Sequence, residues 1–150
     1  MPQDPLTPVL KLALSTAKAQ YDFFMKTTEE VRTPEAKALL KTLAESESDT
    51  IKRLHHMMIT GIVDELEELS SAPDRDVVPD ATPFDPARAE TDPRIFVCNK
   101  VLEKGIKTYT LYLQMATRAK SEVVSHLFEY LAFMKMRQIQ RLRILCHSFL

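Results

Sequence analysis

The sequence predicts an all-α fold in which four long helices form two hairpins, joined by one long crossover, around a single core. Three observations carry this expectation. Apolar and small residues recur at helical spacing in two blocks, glycine is almost absent, and the prolines gather between the blocks. Only 2 of 150 residues are Gly. Residues 6–58 hold two Pro and no Gly, and residues 94–150 hold Gly105 and no Pro. Between them, Gly61 to Pro93 carries five Pro, at 73, 79, 83, 86 and 93.

The first helix follows from Leu10, Leu14, Ala17, Tyr21, Phe24 and Thr28, which share one helical face. Val31 to Pro34 breaks the run. Thr33 then offers an N-cap and Pro34 the first helical position. The second stripe is Ala36, Leu40, Leu43, Glu47, Thr50, Leu54 and Met57. Hairpin one therefore spans about residues 6–58. The segment from about 60 to 92 is the crossover. From Asp64 to Asp92 it has ten acids against two Arg. This −8 segment leaves about +7 on the flanking blocks of a chain whose net charge is −1. Its prolines forbid one continuous helix, although Ile62–Ser70 suits a short one. The segment is expected to be mostly solvated, in part against basic helix surface. Asp92-Pro93 opens hairpin two, about 93–149, with a stripe through Cys98, Val101 or Leu102, Gly105, Tyr109, Tyr112 and Ala116. Ser121 and Glu122 mark the break. The last stripe is Val124, Phe128, Leu131, Lys135, Gln138, Leu142, Leu145 and Phe149.

Composition limits the function. At 150 residues the chain is one domain, burying roughly 68–70 % of its unfolded surface. No apolar run approaches the roughly 18 residues of a membrane span, and Pro2, Gln3, Asp4 and Pro5 make a poor signal peptide. Near-neutral charge gives no bulk attraction to nucleic acid, and two Gly exclude glycine-rich phosphate loops. Cys98 and Cys146 form neither a Cys-x-x-Cys motif nor a disulfide framework. Reduced packing thiols and a cytoplasmic location are the expectation. His55 and His56 diverge by about 100° on a helix, and His126 and His147 stand alone, so all four read as satisfied or surface histidines. Lys135, Arg137, Arg141 and Arg143 make the last helix basic, read as a solvated face or an intramolecular partner for the acidic crossover.

The two blocks match each other. An offset of 88 pairs Asp4-Pro5 with Asp92-Pro93, Val9 with Val97, Leu14 with Leu102 and Tyr21 with Tyr109. It also pairs Leu39 with Leu127, Leu43-Ala44 with Leu131-Ala132, Ile51 with Ile139 and Arg53-Leu54 with Arg141-Leu142. These eleven identities at one constant offset predict a tandem duplication. Four stripe positions are wrong for a core. Glu47 and Thr50 lie mid-stripe in the second helix, and their mates Lys135 and Gln138 lie mid-stripe in the fourth. Unpaired charge there is costly, so this cluster marks a site or the remains of one. The facing helices carry small mates, Ala17 and Gly105.

The segments ALSTAKAQYDFFMKTTEEV and TPEAKALLKTLAESESDTIKRLHHM, with VLEKGIKTYTLYLQMA and HLFEYLAFMKMRQIQRLRIL, resemble the ferritin-like superfamily and its rubrerythrin branch. The resemblance implies a ferritin-like four-helix bundle, whose family members bind two irons with one Glu from each of two helices and Glu-x-x-His from the other two. Transferred to this chain, the lone carboxylates fall at Leu14 or Ala17 and at Leu102 or Gly105, none of which can ligate. Glu47 keeps its place, but its His is Thr50, and the second Glu-x-x-His is Lys135 and Gln138. One ligand of six remains, and no rubredoxin-type Cys pair accompanies it. Tyr21 and Tyr109 resemble aromatics beside the family's metals and here read as core packing.

The pseudo-twofold of the repeat brings Glu47 towards Lys135 and Thr50 towards Gln138, so that an ammonium replaces metal charge. The alternative is that Lys135 snorkels outward and Glu47 lies on a solvated edge. The expected function is non-catalytic, with no cofactor and no catalytic residue: a structural or binding module, homodimeric by the family's habit. Two rivals stand beside it. One is a divergent oxidoreductase holding a single iron, manganese or zinc ion through Glu47 and a nearby His. The other is a small-molecule binder in the vacated core beside Ala17 and Gly105.

Overall fold

A computed structural model of the chain describes residues 6–60 and 78–149. The described residues are all-helical, with four long helices and one short one. They are α1 (Leu6–Glu30), α2 (Pro34–Thr60), α3 (Pro86–Thr91), α4 (Pro93–Arg118) and α5 (Glu122–His147). The helix that the sequence suggests at Ile62–Ser70, the residues Pro2 to Pro5 and six of the ten acids of the crossover lie outside the described residues.

Three of the four long helices start where a side chain takes up a free backbone amide. Thr33 Oγ1 accepts from Ala36 N at 3.4 Å. Asp92 Oδ1 accepts from Arg94 N at 3.0 Å, and Ser121 Oγ from Val124 N at 3.3 Å. Pro34 and Pro93 occupy first helical positions, where no amide hydrogen is needed. The connections at residues 31–33 and 119–121 are so short that α1 runs antiparallel to α2, and α4 to α5. The two pairs pack α1 on α5 and α2 on α4, enclosing one core. Helix bounds repeat at the offset of 88: α1 ends at Glu30 and α4 at Arg118, and α2 begins at Pro34 and α5 at Glu122.

The core is wider than the single stripes. Ala13 and Leu39 join it from hairpin one, and Ile95, Val97, Leu127, Tyr130, Met136 and Ile139 from hairpin two. Leu14, Tyr21, Leu43, Val124 and Leu145 are half-buried at its margin. Gly105 lets α4 approach α5 closely, for a Cβ added there would lie 3.1 Å from Ile139 Cγ1.

One expectation is corrected. Cys98 and Cys146 are not reduced thiols but a disulfide, joining the first turns of α4 to the last turn of α5. An antiparallel hairpin brings those two ends together, so 48 positions of sequence separation close to a Cα–Cα distance of 6.1 Å. The expectation of a cytoplasmic location drew on reduced thiols and loses that support. The crossover is mostly solvated where it is described, as expected, and is anchored at the buried Pro79 and Phe84. Phe84 is buried in the core, and Asn99 clamps its backbone by accepting from Phe84 N at 2.8 Å and donating to Phe84 O at 3.2 Å. Arg143 donates to the carbonyls of Asp80 and Thr82 and lies over the Phe84 ring. The basic last helix does meet an acidic crossover residue, since Arg143 lies 3.3 Å from Asp80 Oδ2. Residues 86–91 then form α3, capped by Asp85, before Asp92 turns the chain into α4.

Candidate functional site

Positions three apart on a helix face the same way. Helix α2 therefore presents Glu47 and Thr50 together, and α5 presents Lys135 and Gln138. The structure brings all four into one cluster. Lys135 Nζ donates to Glu47 Oε1 at 3.0 Å, with side-chain exposures of 12 % and 4 %. Gln138 Nε2 donates to Thr50 Oγ1 at 2.9 Å, and the Thr50 hydroxyl donates onward to Ser46 O at 3.2 Å. Thr50 thus uses its oxygen as an acceptor and its hydrogen on its own helix. In both pairs the partners are separated by 88 residues, the offset at which the two blocks of the sequence align. Each polar side chain touches its own mate.

The smaller candidates fall into two places. Ala17 borders a void of about 20 Å³ beside the cluster, roughly the space of one water. Gly105 borders a larger cavity of about 180 Å³ on the other side, with Glu47, Lys135 and Gln138 in its wall. Leu14 and Leu102 line neither, so the register that faces the cluster is Ala17 and Gly105. Tyr21 and Tyr109 also line neither cavity. Burial raises the Tyr109 phenol above its ordinary value.

The aromatic beside the cluster is Tyr112. Its phenol is pushed from its ordinary value near 10 up to about 12, first by burial, with the Glu47 charge adding and a hydrogen bond with Thr16 opposing. Tyr112 read as one more apolar stripe position. The missed signal is Thr16, a hydroxyl facing the core one residue before Ala17.

As donors for metal these side chains are a poor set. Ala17 and Gly105 carry no ligand atom, and the one carboxylate, Glu47, is taken by an ammonium. Thr50 and Gln138 offer only neutral oxygens, which suit hard cations when several anions accompany them. Two irons do not fit here. His55, His56 and His147 are exposed and His126 half-buried. Among the described residues no group of three or more His, Cys, Asp or Glu stands within reach of one ion.

A second, polar groove of about 240 Å³ lies along the seam of α2 and α5. It is lined by Asp49, Arg53, Tyr130, Arg137 and Arg141, and shares Ser46, Gln138 and Arg141 with the larger cavity. Arg53 Nη1 donates to Tyr130 Oη at 3.1 Å. Among the described residues no helix is long and apolar enough to cross a membrane. No family model, no curated protein and no solved structure matches the chain.

Proposed function

We propose that the chain is a duplicated, ferritin-like four-helix bundle that works without metal, as a non-catalytic binding module. One observation carries the reading: Glu47–Lys135 and Thr50–Gln138 are hydrogen-bonded mates at the positions where the resemblance calls for Glu-x-x-His on two helices. Residues that touch their own mates lie on the twofold axis of a repeat. The matching helix bounds and the eleven sequence identities at the same offset support the duplication. The lysine ammonium supplies, from inside the chain, the positive charge that an ion would bring. The remaining lone pairs and hydrogens are met by a hydroxyl and an amide, whose chemistry is neither redox nor nucleophilic at this spacing.

The test is metal analysis of protein purified without chelator. Iron, manganese and zinc are expected well below one equivalent per chain. A reproducible full equivalent that disappears in Glu47→Ala would overturn the reading and favour a single-metal oxidoreductase.

A further inference from the structure

We propose that the seam between α2 and α5 binds a small amphiphilic carboxylate, its apolar body in the core cavity and its head among Arg53, Arg137 and Arg141. The cavity of about 180 Å³ is walled mainly by Phe24, Leu43, Val101, Ile139, Leu142 and Leu145. An apolar cavity of about 150 Å³ is enough to hold benzene, so this one takes an aromatic ring or a chain of about six to eight carbons. Glu47 and Lys135 reach its wall already bonded to each other, so they add no net charge for a ligand to answer.

The polar groove continues the cavity through Ser46, Gln138 and Arg141, which line both. Arg137 and Arg141 line it beside one carboxylate, Asp49, and Arg53 lines it while held by Tyr130. Guanidinium forks match a carboxylate in two parallel hydrogen bonds, which makes an anionic head the chemistry that this groove recognises. The groove is itself built across the repeat, for Asp49 and Arg137, and Arg53 and Arg141, are mates at the offset of 88. An apolar pocket alone accepts any greasy molecule of its size. Joined to an arginine groove, it selects one with a charged end.

This inference rests on the reading of the core as metal-free, and its test is separable from the metal analysis. Sodium octanoate is titrated into the full chain with its disulfide intact, with octanol and octyl phosphate as comparisons, by methyl NMR and calorimetry. The expected result is saturable one-to-one binding that shifts the methyl signals of Leu43, Val101, Ile139, Leu142 and Leu145. Octanoate is expected to bind about ten-fold or more tightly than octanol. That advantage is expected to vanish in Arg137→Gln/Arg141→Gln, while octanol binding stays unchanged. Both arginines are exposed, so the substitutions leave the core intact. Octyl phosphate binding well below octanoate supports the carboxylate head, and octyl phosphate binding equal to or tighter than octanoate would overturn that choice of head. Absence of saturable shifts at those methyls, equal affinity for octanol, or an octanoate advantage that survives the double substitution would each overturn the proposal. A metal-free chain that ignores octanoate sinks this inference alone, whereas a full equivalent of metal sinks the reading beneath it.

Discussion

Lys135 and Glu47 bury opposite charges at a depth where either one alone would be costly. Attraction between them is largely offset by the loss of hydration, so the pair adds little to net stability. Removing one partner is a different matter. Lys135→Ala leaves a carboxylate without its counter-charge and is expected to cost about 3–5 kcal/mol, read by urea unfolding. A loss below about 1 kcal/mol, the scale of a surface pair, would contradict the burial. Tyr112 gives a second prediction, with a pH sign. Its phenol titrates near 10 when unfolded and about 12 when folded, so the folded state holds the proton longer. Stability from this residue is complete below pH 10 and falls as the pH rises towards 12, by roughly 2–3 kcal/mol. Urea unfolding across that range should show the fall in the wild type and a shallower one in Tyr112→Phe. Lys135 and Gln138 were legible in the sequence because they interrupt a stripe. Tyr112 was not, since an aromatic at a core position satisfies the pattern whether or not its hydroxyl has a partner.

The helices were legible at the scale of elements wherever a start signal stood before a periodic run. Thr33-Pro34 and Asp92-Pro93 predicted two starts and Ser121 marked the break before a third, and all three side chains cap the helices that follow. Asp92 does more than cap. Its hydrogen bonds with the Arg94 guanidinium hold its carboxyl below the ordinary value, with Arg88 adding charge nearby. The disulfide was not legible, because cysteine count and spacing say nothing until the hairpin is folded about its turn. Once α4 and α5 are antiparallel, Cys98 and Cys146 lie about equally far from the 119–121 turn and meet. Opening a loop of that length is expected to cost about 2–4 kcal/mol. The melting temperature of the full chain with and without reductant measures it, and Cys98→Ala/Cys146→Ala should match the reduced protein. No difference on reduction would mean the bond adds nothing to the fold. Likewise, the docking of Phe84 was hidden. A lone aromatic among prolines and acids carries no periodicity, and its segment is held by Asn99 and Arg143, both on other elements.

Across the whole molecule, periodicity and punctuation were enough for an all-α chain of four long helices, and the repeat offset was enough to say which residues face each other. Cavity shape was beyond reach, for it depends on how far side chains such as Leu43 and Leu145 fall short of filling the seam. The pairing of Glu47 with Lys135 carries a further consequence. Joining two copies of the first hairpin in the same manner would set carboxylate against carboxylate, and two copies of the second would set ammonium against ammonium. Only unlike halves neutralise each other. Glu47 and Lys135 therefore make the two hairpins complements, each supplying the charge that the other lacks at the core.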